Sequence, residues 1–286
     1  MIALLLVMAA AQVDSADRAS QAPEPVSARN GYPSPKGLIL GVDAGAVPRA
    51  APGPGWPEAA MLRRDSATGE AWQFAFDSAQ SFDAGVASSD TEFYLVAGSA
   101  KVAGRMLGPG DYLRVGQGGS LGAIEAQSGT KLLMFRNPPG DDSPDPEPVY
   151  VHGDDVPWMV GTVARDAGAK APLMIRRLYT DPRTGARTHL VRLSAGVSVP
   201  WEIHSTAEEG YLLEGDYHLA ECLPDGRRDY DYAEGGYFYR PASLIHSGPE
   251  STSKNGATWL IRTPRTLDAV FYAACPSPSA PKEKTP

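Results

Sequence analysis

The most constraining feature of this 286-residue sequence is one strand-rich unit that occurs twice. The stretch EFYLVAGSAKVAG corresponds to EGYLLEGDYHLAE in the second half, and LGPGDYLRVG corresponds to YAEGGYFYRPA. The spacing of the glycines is nearly the same in both units, because Gly69 lies 29 residues before Gly98 and Gly185 lies 30 residues before Gly215. Self-similarity on this scale indicates duplication of a small domain. Short apolar runs broken by turn residues are typical of β-sandwiches and barrels, so we predict an all-β chain with few helices.

The repeat predicts two domains with less structured segments around them. The strand-rich units span residues 56–138 and 166–273, and the Pro- and Asp-rich residues 139–165 predict a linker. Residues 12–55 are rich in Ala, Pro, Ser and Gly without a sustained period, which predicts a disordered leader or arm. Residues 274–286 are polar and Pro-rich, and we expect a disordered tail.

The first residues and the cysteines bear on location. Residues 1–11 resemble the apolar part of a secretory signal, although no positive residue precedes the run, and it is shorter than the ~20 residues that span a bilayer. We therefore expect a periplasmic or secreted protein without a stable membrane span; the alternative is a frayed terminus on a cytoplasmic protein. Cys222 and Cys275 could form one disulfide or remain two thiols, and their spacing does not decide which.

Charge and missing motifs exclude several function classes. The formal net charge is −8 and the sequence contains no Lys/Arg cluster, so we expect no nucleic-acid partner. The sequence has neither a G-x-S-x-G elbow nor a G-x-x-x-x-G-K-[ST] loop, which argues against a serine hydrolase of that type and against a P-loop nucleotide hydrolase.

Four side chains in the second unit could meet around a cation. Glu202 and His204 are two residues apart on a predicted strand and so point to one face. Glu208 follows a short turn-like segment, and His246 lies downstream on another strand. Two carboxylates and two imidazoles suit a divalent metal if these strands adjoin. Taken singly, such a histidine is more often a core or surface residue, and Glu208 beside Glu209 could belong to a solvated turn.

The spacing of these residues resembles the first motif of the cupin family. That motif contains a Gly, then after five residues His-x-His, after three or four more a Glu, and after six a final Gly. Gly196, His204, Glu208 and Gly215 fall at matching places, while Glu202 replaces the first histidine. The resemblance implies that these side chains hold a metal inside a jelly-roll barrel.

The second cupin motif is also recognisable. Gly235, Pro241 and His246 match it in kind, whereas Ser243 replaces a Gly and Glu250 replaces an Asn. The resemblance therefore implies a metal held by Glu202, His204, Glu208 and His246. Carboxylate in place of imidazole favours harder ions, so the donor set favours Fe²⁺ and Mn²⁺ and does not exclude Zn²⁺. The alternative is a degenerate barrel in which Glu202 faces water and no metal binds.

The first unit resembles a cupin stripped of its ligands. Thr91 stands where the Glu is expected and Leu121 where the second-motif His is expected. The chain as a whole thus resembles a bicupin, two cupin-like barrels in one chain, with a structural first barrel. Within the second unit, EEGYLLEGDY and GGYFYRPASLIHSGP resemble the ChrR-type cupins.

These resemblances imply function only by class. We expect a metal-dependent small-molecule enzyme, dioxygenase-like in its plainest version, with Glu202 as a candidate general base. The alternatives are a non-catalytic module that binds or senses a small ligand or a metal, and a purely structural bicupin. The resemblance to this family also implies a homodimer.

Several arginines and histidines that are not predicted metal ligands could bind a substrate or lie at the surface. Arg240 and Arg262 could anchor an anionic substrate, although exposed arginines at strand ends are commoner. His218 could reach the metal or act as a proton shuttle, although a solvent-facing position is commoner, and His152 and His189 are expected at the surface.

Overall fold

The computed structural model describes residues 37–138, 145–161, 173–223 and 226–275. Over these ranges the chain forms twenty-two β-strands and one three-residue 3₁₀ helix, Gly153–Asp155. The predicted all-β class is therefore confirmed. The predicted signal segment, residues 1–11, lies outside the described residues, as do residues 276–286 of the predicted tail.

Eleven strands form a first barrel from two curled sheets. In chain order they are β2 (Arg49–Ala50), β3 (Ala59–Asp65), β4 (Gly69–Phe76), β5 (Gln80–Asp83), β6 (Thr91–Ala97), β7 (Ala100–Val102), β8 (Arg105–Leu107), β9 (Tyr112–Val115), β10 (Ala123–Ala126), β11 (Thr130–Arg136) and β12 (Val149–Val151). The larger sheet has the order β12-β9-β6-β11-β4-β3-β2, and the smaller has the order β5-β10-β7-β8.

The interior of the first barrel is filled with apolar side chains. Trp72, Phe74, Phe93 and Met134 alternate inward from the larger sheet and are at most 1% exposed. Leu121, at the place where the family has a histidine, is part of this cluster and 1% exposed. Such packing is that of an ordinary close-packed core. The interior of the first barrel is thus apolar at the place where the family has a ligand.

The other eleven strands form the second barrel, in one branched sheet. They are β1 (Ile39–Asp43), β13 (Met159–Val160), β14 (Met174–Thr180), β15 (Arg187–Leu193), β16 (Ser198–Ile203), β17 (Glu208–Leu223), β18 (Gly226–Ala233), β19 (Gly236–Arg240), β20 (Ile245–Thr252), β21 (Ala257–Thr263) and β22 (Val270–Tyr272). The main path is β13-β14-β15-β21-β17-β20-β16-β22, and the sixteen-residue β17 also pairs with β18 and β19. This long strand therefore connects most of the barrel wall.

The two barrels meet through a buried charge network. Arg63 of the first barrel lies 2.7 Å from Glu209 of the second, measured from Nη2 to Oε1. Arg262 of the second barrel lies 2.6 Å from Glu209 and 2.7 Å from Glu92 of the first. Tyr237 also donates to Glu209. Two guanidinium groups thus face two carboxylates at the interface, which gives the buried charges their partners.

Part of the predicted leader is ordered, which corrects the expectation for residues 37–55. Strand β1 pairs antiparallel with β19 of the second barrel, and β2 pairs with β3 of the first. Leu40 packs against the apolar core of the second barrel. Gly41 has φ +64°, and a Cβ there would come within 2.5 Å of the Tyr230 ring. A short apolar segment in a Pro- and Ala-rich context gave too weak a signal, since its partner strand is nearly 200 residues away.

The predicted linker also contains strands. Strand β12 pairs with β9 of the first barrel, and β13 pairs with β14 of the second. The described part of the linker, residues 145–161, therefore extends the edges of both barrels. These strands have three and two residues, too few for a periodic pattern to reveal them.

A disulfide links β17 to the chain beyond β22. Cys222 and Cys275 are bonded, with their Cα atoms 5.8 Å apart, so the first of the two alternatives holds. Strand β22 pairs with β16, so the bond fastens an outer strand over the one that carries Glu202. No helix in the described part of the chain is long and apolar enough to cross a membrane.

Candidate metal centre

Neighbouring strands bring the predicted ligands to one region of the second barrel. Glu202 on β16 is directly paired with His246 on β20 across an antiparallel ladder. Directly paired residues project from the same face, so both side chains enter the barrel. Glu202 is 8% exposed and His246 is 3% exposed. His204 follows β16 and is 5% exposed, and Glu208 opens β17.

Three of these residues form a compact donor cluster. One ligand atom each from Glu202, His204 and His246 lie within 4.8 Å of one another. His246 Nε2 is 3.7 Å from Glu202 Oε1 and 3.6 Å from Glu208 Oε2. The rings of His204 and His246 have their centroids 4.9 Å apart. The four residues singled out from sequence spacing therefore lie together, and Glu202 faces inward.

The backbone fixes the orientation of both imidazoles. His246 Nδ1 lies 3.1 Å from the Leu244 carbonyl oxygen, and His204 Nδ1 lies against the Asp268 carbonyl oxygen. An imidazole that donates from Nδ1 to a carbonyl keeps the lone pair on Nε2, the usual arrangement of a metal-binding histidine. Asp268 is itself held in place, since its Oδ1 accepts from the Ser205 amide at 2.8 Å. Nothing in the sequence pointed to Asp268, because it lies 64 residues beyond His204.

Burial shifts the protonation of the cluster away from its charged forms. Burial, reinforced by the negative charge of Glu208, raises the pKa of Glu202 to about 8. Burial also lowers the pKa of His246 well below its usual value, and the positive charge of Arg240 and the nearby His204 add to this. Both shifts favour the neutral forms of Glu202 and His246, and a cation held beside them would favour the ionised carboxylate.

Glu208 belongs to an ion-paired group beside the cluster. Arg240, 2% exposed, donates from Nη1 to Glu208 and from Nε to both oxygens of Glu221, at 3.1 and 3.0 Å. Glu221 is fully buried, and burial raises its pKa although Arg240 opposes the shift. The expectation that Arg240 is an exposed strand-end residue was wrong. Arg262 is not exposed either, because only 11% of its side chain is accessible and it is paired at the barrel interface. Glu221 lies in no motif, and sequence reasoning missed it.

A cavity of about 120 Å³ lies next to the cluster. Its walls are mostly apolar and come from six strands and the loops beside them: Leu173, Ile175, Val191, Leu193, Val199, Tyr217, Leu219, Phe238, Trp259, Ile261 and Leu267. Its polar groups are Glu202, His204, Glu208, Arg240, His246, Ser247 and His189. An apolar cavity with a few converging polar groups is the usual form of a small-molecule site.

The remaining histidines differ in their environments. His189 is 3% exposed and lines the cavity, so the prediction that it faces solvent was wrong. The residues that follow it alternate between the barrel cavity and the core between the barrels. Strand periodicity alone does not predict which face of the strand lines a cavity. His218 has 35% of its side chain exposed and lies 2.8 Å from Asp231, and His152 is exposed beside Asp111, as predicted for surface groups.

Both the fold and the family comparison point to cupins. The model of the ChrR cupin-like domain matches residues 146–265. No curated protein matches the sequence. Among solved structures, a protein described as a "putative dioxygenase" from Nostoc punctiforme PCC 73102 aligns with a TM-score of 0.65 at 17% identity, covering 84% of this chain and 88% of that one.

Two further structures show the same fold. Oxalate decarboxylase of Bacillus subtilis aligns with a TM-score of 0.56 at 14% identity, over 85% of this chain and 80% of that one. The Ylba protein of E. coli, of family DUF861, aligns with a TM-score of 0.58 at 14% identity, over 81% and 96%. At these identities the likeness establishes the fold and not the activity.

The fold and the site thus define a cupin with two barrels, of which the second contains a cluster of His and Glu donors. Within that class, the matched region identifies the second barrel as a ChrR-like cupin domain.

Proposed function

We propose that the second barrel binds one divalent metal ion through Glu202, His204 and His246, with Glu208 as the fourth ligand. The observation that carries the proposal is the orientation of the two imidazoles, whose Nδ1 atoms are occupied by carbonyl oxygens while Nε2 of His246 points at two carboxylates. Burial of the Glu202 carboxylate is also costly unless a cation compensates it. The donor set therefore fits a metal ion.

The donors favour Fe²⁺ or Mn²⁺ and leave Zn²⁺ open. Two imidazole nitrogens with one or two carboxylates suit all three ions, and each added carboxylate favours the harder ones. Glu208 is bound to Arg240 in the structure. Its Oε2 is nevertheless 3.6 Å from His246 Nε2, so Glu208 would be near an ion held by that imidazole.

We further propose that the site is that of a small-molecule enzyme, dioxygenase-like in its plainest version. A bound metal ion would supply Lewis acidity and, for iron or manganese, redox chemistry. The chain's own part is to exclude water with the apolar wall and to orient a small substrate beside the cluster. Glu202 could accept a proton at its carboxylate as general base, in which case the other three residues hold the ion. A dioxygenase-like reaction agrees with the description of the Nostoc neighbour.

One observation favours a different class, a module that binds or senses a small ligand or metal without turnover. The family match is to the ChrR cupin-like domain, whose printed description names no activity. In that case the cavity and donor cluster would serve binding alone. Metal content distinguishes both readings from a purely structural bicupin, and turnover distinguishes them from each other.

The test begins with metal analysis of the untagged full chain, beside His246→Ala and, as a matched control, His218→Ala. We expect about one equivalent of Fe, Mn or Zn in the wild type and in His218→Ala, because His218 lies at the surface. In His246→Ala the metal content should fall below about a tenth of that value. Oxygen uptake with a panel of diketones and phenols then separates enzyme from binder. Equal metal content in all three proteins would contradict the assigned ligands.

We also propose an oxidising location, periplasmic or secreted, on the strength of the Cys222–Cys275 bond. Mass analysis of the mature protein from cell fractions tests this. A homodimer is a further expectation, and light scattering on the purified chain measures it.

A further inference from the structure

Three basic side chains of the second barrel, the exposed Arg177, the partly buried Arg187 and the buried His189, have no hydrogen-bond or ion-pair partner in the described part of the chain. Arg187 and His189 lie on β15, and Arg177 lies on β14 directly opposite His189 in the antiparallel ladder. Residues two apart on a strand share a face, as do directly paired residues. On its other side His189 is paired with Ile261, which lines the barrel cavity, as does His189 itself. We refer to Arg177, Arg187 and His189 as the basic patch.

The basic patch leaves buried donors unsatisfied. Nδ1 of His189 and Nε of Arg187 are both buried without a hydrogen-bond partner. In the described part of the chain, Arg177 and Arg187 have no ion pair, whereas each of Arg63, Arg240 and Arg262 contacts at least one carboxylate. Most buried polar groups in native proteins are paired, so unpaired ones that face a cavity point to a missing ligand.

The charges around the basic patch favour an anion. Burial lowers the pKa of His189 to about 3, and the positive charges of Arg187 and Arg177 contribute to this shift. Burial also lowers the pKa of Arg187, and the neighbouring Arg177 adds to the effect. Among the described residues, no negative charge opposes these shifts. A bound anion would neutralise the positive charges of Arg177 and Arg187 and accept hydrogen bonds from Arg187 Nε and His189 Nδ1.

The basic patch lies close to the donor cluster. Arg187 lines a pocket of about 130 Å³ between the two barrels, and Glu208 lines both that pocket and the barrel cavity. The five carboxylates of this pocket all have cationic partners. Asp90 is paired with Arg114, Asp181 with Arg183, Glu208 with Arg240, and Glu92 and Glu209 with Arg262. Arg187 lines the pocket between the barrels and His189 lines the barrel cavity, so an anionic group held by both would sit where the two spaces adjoin, near the Glu208 that Arg240 neutralises.

The rest of the cavity limits the size and polarity of the ligand. Trp259, Phe238 and Val191 supply an apolar wall beyond His189. A volume of about 120 Å³ is of the same order as the engineered cavity of about 150 Å³ that binds benzene. Space of this size and character suits one ring or a short branched chain.

We propose that the second barrel takes a small organic acid with an apolar body, whose carboxylate is bound by Arg187 and His189 while the body packs against Trp259 and Phe238. This inference names the substrate class for the proposed function and rests on that function only for the role of the donor cluster.

The test measures binding of two carboxylates and their neutral analogues to the full chain by isothermal titration calorimetry, with EDTA present so that metal plays no part. The pairs are benzoate with benzyl alcohol, and 3-methylbutanoate with 3-methylbutanol; oxalate serves as an acid without an apolar body. We expect at least one carboxylate to bind about tenfold more tightly than its alcohol and than oxalate. Loss of a charge-assisted hydrogen bond in Arg187→Gln should weaken that carboxylate about tenfold or more. His189→Leu should weaken it as well.

The matched control is Arg192→Gln, which removes the same charge from an exposed position on the same strand. It should leave carboxylate affinity within about twofold of the wild type. Melting temperatures separate binding from structure, because removing an unpaired buried donor should leave stability unchanged or raise it. A lower melting temperature in both Arg187→Gln and His189→Leu, with unchanged affinity, would show a merely structural role and overturn the proposal.

Failure of this inference is distinguishable from failure of the metal site. If neither carboxylate outbinds its alcohol, or if Arg187→Gln binds it as tightly as the wild type, the ligand class is wrong even where metal analysis finds one equivalent. If discrimination is present and disappears in Arg187→Gln, the ligand class stands even where no metal is found.

Discussion

Removing the Glu202 carboxylate should change how the stability of the metal-free protein depends on pH. The pKa of this carboxyl is raised from 4.5 to about 8 in the folded chain. Between those values the folded state keeps a proton that the unfolded state releases, so stability is full below pH 4.5 and is lost as pH rises towards 8. At 1.36 kcal/mol for each pKa unit, a shift of this size corresponds to about 5 kcal/mol.

The assay is thermal unfolding in EDTA from pH 5 to 8.5 for the wild type, Glu202→Gln and, as a control, Glu250→Gln, whose side chain is exposed. For a chain of this size about 1 kcal/mol corresponds to a shift of about 2–4 °C in Tm. About 4 kcal/mol of this contribution falls between pH 5 and 8.5, so the wild type should lose about 8–16 °C relative to Glu202→Gln across this range. Burial lowers the pKa of His189 and His246, so the stability that depends on these two groups rises with pH, opposite to the effect of Glu202. The quantity that matters is thus the difference between variant and wild type.

Added metal should reverse the pH trend, because a bound cation favours the ionised carboxylate. We expect Mn²⁺ to raise the Tm of the wild type more at pH 8 than at pH 6, and to have little effect on Glu202→Gln. Parallel Tm curves for wild type and Glu202→Gln in EDTA would refute the reasoning, since they would mean that Glu202 titrates like an exposed carboxyl.

Three other predictions concern parts of the fold that support the site. Glu209→Gln removes one of two carboxylates facing Arg63 and Arg262, so it should lower the Tm by about 6–12 °C, from a penalty of roughly 3 kcal/mol; Glu147→Gln, at an exposed position, should shift it by less than about 2 °C. Reducing the Cys222–Cys275 bond, which closes a loop of 53 residues, should cost about 4 kcal/mol, measured as urea unfolding with and without dithiothreitol. Gly41→Ala should lower the Tm through its clash with a tyrosine ring and its positive φ, whereas Gly104→Ala, also at positive φ but with open space around it, should lower it less.

The sequence predicted the donor cluster because motif spacing and strand periodicity both act locally. Glu202 and His204 share a face by alternation, and the downstream motif supplies His246 on a strand that proves to be the direct neighbour of β16. Duplication likewise predicted two all-β units. What fixes the imidazoles could not be predicted, since the Asp268 carbonyl comes from a loop 64 residues away and any residue supplies a carbonyl.

The basic patch shows a different limit of sequence reasoning. The residues around His189 in the sequence resemble those of an exposed strand. The sequence therefore predicts that His189 faces solvent. Its burial depends on the closure of β15 against β21 and on the barrel's curvature, both of which are non-local. The same holds for β1, whose partner β19 belongs to the other end of the chain.

The interiors of the two barrels are filled differently. In the first barrel Leu121 occupies the place of a ligand, and the interior is closed by aromatic side chains. In the second barrel unpaired donors and buried carboxylates line a cavity, which costs stability in the absence of a ligand or cation. The close-packed core of the first barrel and the paired charges at the interface offset this cost, because Glu209 of the site-bearing strand β17 is anchored to Arg63 of the first barrel. Glu208 immediately precedes Glu209 on that strand. The first barrel therefore also helps to hold one member of the donor cluster in place.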